Sequence, residues 1–350
     1  MNYTIFGESH GNAIGVTLTG VPSGIEINMD ALLFEMSRRA TGKNKLSTAR
    51  KEADEIEWLS GVFEGKTTGT PLALIIRNTD QHSKDYSQLK VLPRPSHADY
   101  TGMVRYEGCN DYRGGGHFSG RLTAPLVAAG AIAKQILADK GIFIGAHIAS
   151  VGCIYDKSLD SAADQRELLR EVAYKEFPVL DDGAGQRMQA DILQAREEGD
   201  SVGGTIQCAI YGLSAGLGAP DLNENLEGEL ARHLFAVPAV KGIEFGDGFA
   251  LAGLRGSQAN DPFCMEDGQV RTRTNRSGGI NGGITNGMPV VFTVAMRPTP
   301  SISREQDTVD LSTGENTRLS IHGRHDPCIV HRAVPVVEAA AALAIVEFLK

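Results

Sequence analysis

Two stretches that are apolar on every side constrain what this chain can fold into. Arg121–Lys140 reads R-L-T-A-P-L-V-A-A-G-A-I-A-K-Q-I-L-A-D-K, and Ala333–Leu349 reads A-V-P-V-V-E-A-A-A-A-L-A-I-V-E-F-L. Alanine, leucine, valine and isoleucine surround both, so neither offers the polar face of a surface helix, and each predicts a helix covered all round. Pro125 and Lys134 interrupt the first run, which is too short to span a bilayer. The cover must come from the short strands predicted between them, Ile142–Cys153, Gly203–Tyr211, Gly242–Phe245 and Val290–Met296. Helices held between sheets in one α+β body are the expectation. The 350 residues contain no Pro/Ser-rich linker and no low-complexity tract, so no domain boundary is placed. Glycine-rich loops in both halves hint at duplication, but no repeat is clear enough to establish one.

The remaining elements are smaller. Thr4–Gly11 predicts a strand running into a glycine-flanked turn that exposes Ser9 and His10. Asp30 is placed as the N-cap of a helix over Ala31–Arg39. That helix ends in Arg38-Arg39, which complements its dipole. The loop that follows, A-T-G-K-N-K, carries Lys43 and Lys45 where they could fold over a ligand. Glu55–Phe63 and Pro71–Arg77 read as strands. Asp156–Gly199 is charged, helical in pattern and poor in chemical groups.

A formal charge of −9 argues against nucleic acid or an anionic membrane as a partner. Local basic clusters therefore suit a small anion better than a polymer: Arg271, Arg273 and Arg276 form one, and Arg324, His325, His331 and Arg332 another. The 5 cysteines are widely spaced and form no C-x-x-C. Buried free thiols in a reducing cytosol are expected. No secretory signal opens the chain, so a cytoplasmic location is expected.

The chemistry gathers in Arg94–Pro125, R-P-S-H-A-D-Y-T-G-M-V-R-Y-E-G-C-N-D-Y-R-G-G-G-H-F-S-G-R-L-T-A-P. It holds Arg94, Arg105, Arg113 and Arg121, with His97 and His117 and the run Gly114-Gly115-Gly116. Three glycines can turn backbone N–H groups toward one point, and the helix start downstream adds positive potential. Arginine is the preferred fork for phosphate and carboxylate. The stretch reads as a pocket for a small, multiply charged anion; a surface loop with scattered arginines is the plainer alternative.

Known templates exclude much. No glycine run matches G-x-G-x-x-G between strand and helix, or G-x-x-x-x-G-K-[ST], and G-x-S-x-G is absent. His322, His325 and His331 could suggest a metal, but Arg324 and Arg332 would repel it and no ligand set is complete. What remains is histidines in polar loops, many arginines, and Asp326 among basic neighbours. That inventory fits a phosphorylated substrate with a phosphorylated cofactor, the histidines acting as proton donors near neutral pH. On local sequence, Asp326 serves equally well as a group that only orients His325 or Arg324.

The segments G-E-S-H-G, R-P-S-H-A-D-Y before R-G-G-G, P-A-V-K-G-I-E-F-G-D-G-F, S-G-G-I-N-G-G-I, R-P-T-P-S-I and G-R-H-D-P-C…R-A-V-P, in this order, resemble the chorismate synthase family over nearly the whole chain. The resemblance implies a single-domain sandwich with long apolar helices between antiparallel sheets, assembled as a homotetramer. It implies a lyase that removes phosphate from 5-enolpyruvylshikimate 3-phosphate by 1,4-anti elimination to give chorismate. Reduced FMN (FMNH2) is required without net redox change. Nothing is left over for a fused flavin reductase, so an external reductant is expected; NADP is associated with the family. By position, His10 would protonate the leaving phosphate, His97 would stabilise the electron-rich flavin, and Asp326 would help remove the flavin N5 proton. Arg39, Lys45, Arg121 and Arg324 would hold substrate phosphate and carboxylates. Flavin contacts would come from His117, Phe118, Ser119, Pro238, Ala239, Gly282, Arg297, Pro298, Thr299, Pro300 and Ser301, with Arg324 near both ligands.

The family pattern is altered in places. Ser96 stands for the glycine of R-P-G-H. His117, Phe118, Gly120 and Leu122 depart from R-G-G-G-R-S-S-A-R-E-T, while Arg121 keeps its arginine. Lys45 replaces arginine, Arg297 replaces lysine and Pro238 replaces asparagine. A flavin oxidoreductase with net electron transfer, or a silent flavin- or phosphate-binding homologue, would be the rival readings.

Overall fold

The computed structural model describes residues 1–42, 46–47, 54–79, 88–221, 224–321, 323 and 325–349. Both apolar runs are helices, Thr123–Ala138 and Val330–Phe348, and they pack on each other. Gly130 makes the approach close: a Cβ there would lie 2.2 Å from the Ala339 Cβ. Ala339 to Ala342 and Ala344 are buried on the facing helix, so small side chains bring the two backbones together.

An antiparallel sheet covers each side. The front sheet takes the strands Asn2–Gly7, Ala13–Thr19, Leu72–Arg77 and Ile56–Ser60 in that spatial order. The back sheet runs Val240–Phe245, Val290–Met296, Gly204–Tyr211, Phe143–Val151, Ile154–Tyr155. The central helix meets the front sheet and the terminal helix meets the back sheet. The α+β architecture with helices between antiparallel sheets is thus as the sequence predicts. Helices Arg166–Ala173 and Asp182–Glu197 occupy the charged middle segment, and the first packs on the outer face of the back sheet.

The helix preceding the site spans Met29–Arg39, and its N-cap is Asn28 rather than Asp30. The Asn28 side chain accepts from Ala31 N at 3.0 Å, while Asp30 lies in the first turn. Its far end is anchored by ions. Glu338, in the middle of the terminal helix and 1% exposed, accepts from Arg38 at 2.5 and 2.8 Å, from Lys134 Nζ at 2.8 Å and from Ala146 N at 2.9 Å. Arg38 also bonds Glu35 at 2.7 Å, and Lys134 pairs with Glu35. The helices that read as wholly apolar therefore enclose a buried charge cluster, which ties Arg38, and with it Arg39, to the core.

The expectation of buried thiols is corrected for two cysteines. Cys208 and Cys328 are buried, Cys264 is half-buried, and Cys109 and Cys153 are exposed; all five are free. No described helix is long and apolar enough to cross a membrane.

Candidate active site

A cleft of about 260 Å³ opens where the end of helix Met29–Arg39, the glycine-rich turn, the loop after Met296 and the start of the terminal helix converge. Its charged lining is Arg39, Arg94, Arg121, Arg297 and Arg332, with His97, His325 and Asp326. Phe118, Val237, Pro238, Ala239 and Met296 add apolar surface to the lining. A cleft with apolar surface and several guanidiniums suits a planar, anionic ring with a phosphate nearby.

Arg39 and Arg121 share a carboxylate. Asp54 accepts from Arg39 Nη1 at 2.8 Å through Oδ2 and from Arg121 Nη1 through Oδ1, all three residues being buried. Arg39 Nε also donates to Thr123 Oγ1 at 3.0 Å, and Arg332 Nε donates to the Arg39 carbonyl at 3.1 Å. Burial is the main cause that pushes Arg39 down to about 9, and Arg332 and Arg121 add to it against the pull of Asp54. An arriving anion would reverse that imbalance.

His10 lies behind the glycine turn, and the expectation that Ser9 and His10 stand exposed is corrected. Ser9 is 0% and His10 5% exposed. Ser9 N donates to the Gly116 carbonyl at 3.1 Å, folding the first turn under the glycines. Asn78 Nδ2 closes that turn through the carbonyls of Glu8 and Gly11, at 3.0 and 2.9 Å, while its Oδ1 accepts from Arg121 Nε at 3.1 Å. One amide thereby fixes the His10 turn relative to a cleft arginine.

The three glycines also make room for side chains. All have positive φ, 60, 84 and 53°. Gly115 N donates to the Tyr112 carbonyl at 3.3 Å, and the Gly116 carbonyl accepts from Ser9 N. A Cβ on Gly114 would fall 2.0 Å from His10 Nδ1, and one on Gly115 3.2 Å from His97 Cε1. The turn lets two imidazoles approach the backbone from different sides.

His97 is held by Arg94 and Asp99. Its Nδ1 lies 2.6 Å from Asp99 Oδ1, and Arg94 grips the same carboxylate through Nε and Nη2 at 2.7 Å each. Burial pushes the His97 pKa below its usual value, Asp99 opposes this, and Arg94 and Arg297 reinforce it. Asp326 Oδ2 accepts from Arg332 Nη1 at 2.5 Å, and its carbonyl accepts from Thr299 Oγ1 at 2.7 Å. Its orienting partner among the described residues is therefore Arg332.

The structure brings His97, Asp326, Arg39, Arg121, Phe118, Ser119, Pro238, Ala239, Arg297, Thr299, Pro300 and Ser301 to the cleft. His10, His117, Pro298 and Gly282 are not in its lining. His10 touches it through Gly114. His117 Nδ1 donates to the Gly7 carbonyl at 2.9 Å, and Gly282 sits in the turn of the hairpin formed by Ile280–Asn281 and Ile284–Thr285. Lys45 and Arg324, with His322 and Lys43, lie outside the described residues. Of the two basic clusters, Arg271 and Arg276 pair with Glu266 and Asp247 away from the cleft, and His331 turns into a second cavity with Arg38 and Lys175. Burial pushes His331 down to about 4. Sequence reasoning missed Asp54, Asn78 and Asp99 as parts of the site and placed Arg332 there only as a member of a basic cluster. Only Asp99 carried a local signal, lying two residues from His97.

An α+β fold with an arginine-lined cleft and two histidines at a glycine turn is thus defined. The chorismate synthase family description matches residues 1–349. Chorismate synthase from Thermococcus kodakarensis is 47% identical over 350 residues, covering 100% of this chain and 96% of the relative. Chorismate synthase from Methanosarcina mazei is 46% identical over 340 residues, 97% and 92% of the two chains. A crystal structure of chorismate synthase superposes with a TM-score of 0.77 at 28% identity, covering 99% of this chain and 91% of that one. The chain belongs to the chorismate synthase family. The lyase class and activity expected from the sequence are borne out with it.

Proposed function

We propose that this cleft carries out the family's reaction, the 1,4-anti elimination of phosphate from 5-enolpyruvylshikimate 3-phosphate to give chorismate, with reduced FMN bound beside the substrate. The observation that carries this is the convergence of five arginines with His97, Asp326 and apolar side chains in one cleft, while His10 packs against the same glycine turn.

Arg39 and Arg121, aligned by Asp54, are the anion forks for the substrate, with Lys45 and Arg324 assigned to the same task. Unpaired buried charge is costly, so the anions of substrate and cofactor offset the crowded guanidiniums. His10 donates a proton to the departing phosphate oxygen. Asp326, oriented by Arg332, accepts a proton at the cleft. The residues fit FMN: Arg297, Thr299, Ser301 and Arg94 supply polar and cationic groups, and Phe118, Pro238 and Ala239 supply apolar surface for a ring. His117, Pro298 and Gly282 are assigned to the flavin from outside this lining. When bound, reduced FMN would supply an electron-rich ring that assists phosphate departure with no net redox change.

The assembly proposed is a homotetramer in the cytoplasm, with flavin reduced by an external system. Phe263, Met265 and Val270, exposed side by side on the hairpin Phe263–Glu266 with Gln269–Thr272, give a subunit contact apolar surface to bury. Sedimentation measures the assembly.

The test is anaerobic turnover. The protein is mixed with 5-enolpyruvylshikimate 3-phosphate and a small, fixed amount of chemically reduced FMN, and phosphate and chorismate are followed together. Many turnovers per flavin are expected; one product per flavin would establish a net oxidoreductase instead. His10→Ala is expected to cut turnover far more than FMN affinity, and equal turnover in variant and wild type would remove His10 from the mechanism.

A further inference from the structure

We propose that Asp99 and Arg94 are positioning residues that lock His97 with its proton on Nδ1, so that Nε2 is the ring atom left to accept a proton in the cleft. The argument is one of donors and acceptors. Asp99 accepts from Arg94 through both oxygens, and its Oδ2 also accepts from Arg94 N at 3.0 Å. Despite burial, these bonds and that to His97 hold its carboxyl far below the usual carboxylate range. It therefore has no proton to give. The 2.6 Å contact between Asp99 Oδ1 and His97 Nδ1 then requires the proton on nitrogen, since two lone pairs at that distance would repel.

Arg94 lies close enough to compete. Its Nη2 is 3.1 Å from His97 Nδ1, but Nη2 can only donate, and it donates to Asp99 Oδ1 at 2.7 Å. Its remaining arm is taken, because Nη1 donates to Ser301 Oγ at 3.0 Å. The clamp is thus built from the segment before His97, the first turn of the helix Asp99–Arg105, and the loop after Met296. The opposite edge of the imidazole lies along Gly115, and no described residue bonds to Nε2. The charged groups acting on the ring are Arg94, Asp99 and Arg297. A proton added at Nε2 would give an imidazolium already partnered by a carboxylate, which is the means of stabilising charge on a histidine beside an electron-rich ligand.

The part concerning turnover rests on the reading of the cleft given above; the position of the proton does not. Long-range proton–nitrogen NMR correlations on ¹⁵N-histidine-labelled full-length protein, without ligand, report which ring nitrogen is protonated. His97 is assigned by the signal lost in His97→Gln. The wild type is expected to show Nδ1 protonated and Nε2 bare, and the reverse pattern would overturn the proposal even if Asp99→Asn does not fold. In Asp99→Asn the new amide can donate to Nδ1, so the pattern is expected to invert or mix; a folded variant with the wild-type pattern overturns the lock. In the anaerobic assay, Asp99→Asn is expected to lower kcat about a hundredfold, the lower range for a displaced acid or base, with KM nearly unchanged. Unchanged kcat in a variant whose proton has moved would overturn the positioning role while leaving the elimination itself standing.

Discussion

Arg39 and Arg121 lie 82 positions apart in the chain and are joined through the two oxygens of one carboxylate, that of Asp54. Without it, two buried guanidiniums would face each other with no partner between them. Asp54→Ala is therefore expected to cost about 3 to 5 kcal/mol of folding stability, the usual range for breaking a buried pair. Adding Arg121→Ala should relieve part of that loss, because the repulsion between the two guanidiniums is then removed. Urea unfolding of both single variants and the double measures the coupling. Strictly additive losses would mean that Asp54 and Arg121 do not stabilise each other.

Gly114 separates His10 from the cleft by the width of a backbone. Its φ is 60°, and a Cβ would meet His10 Nδ1 at 2.0 Å and Cε1 at 2.1 Å. Gly114→Ala must turn the imidazole aside. The expected outcome is a fall in kcat of about a hundredfold, with a stability loss of about 1–2 kcal/mol from the left-handed backbone. Gly253→Ala, where a Cβ meets nothing within 4 Å and φ is not positive, is the control and should leave turnover unchanged. Steady-state kinetics with thermal melts decide it; full activity in Gly114→Ala would show that the ring need not sit where it does.

Much of the fold was legible because its signals are periodic and local. The runs around Ala128 and Ala340 are apolar at every turn, and the strands Gly204–Tyr211 and Val290–Met296 were placed to within a residue. The site was legible only as motifs. Their partners were hidden, since Glu338 and Arg38 are separated by 300 positions, and Arg94 and Ser301 by 207. A glutamate inside an alanine-rich run looks like an interruption until the arginine from another helix is seen against it. His10 was misjudged for the same reason: two flanking glycines suggest an exposed turn, and only the bond from Ser9 N to Gly116 shows that turn to be covered.

Ser96 adopts φ 59° between Pro95 and His97, a conformation that suits glycine. The family pattern read in the sequence has glycine there. Ser96→Gly removes the strain of a Cβ in left-handed backbone, roughly 1–2 kcal/mol, against a smaller entropic cost in the unfolded chain of about 0.4–1 kcal/mol. A net gain of about 0.5–1 kcal/mol follows, seen as a higher Tm with unchanged kcat. A lower Tm would show that the serine side chain contributes more than its backbone strain costs.

Glu338 links pH to the core. Burial alone would raise its pKa, but Arg38 and Lys134 outweigh burial and hold it below the usual carboxylate range. A carboxylate whose folded pKa is depressed stabilises the fold fully above its unfolded pKa, about 4.3. That contribution is lost as pH falls through the lower folded value. The wild type should therefore lose stability steeply below about pH 4, with Arg38 and Lys134 left facing a neutral acid. Glu338→Gln should be less stable at pH 7 by about 3 to 5 kcal/mol and should show a shallower fall between pH 5 and 3. Its Arg38 then no longer holds the end of helix Met29–Arg39, so KM for the phosphorylated substrate should rise through Arg39 while FMN affinity changes less. Guanidinium unfolding across that pH range, with KM measured at pH 7, tests both parts. An acid limb as steep in Glu338→Gln as in the wild type would place the pH dependence on other carboxylates.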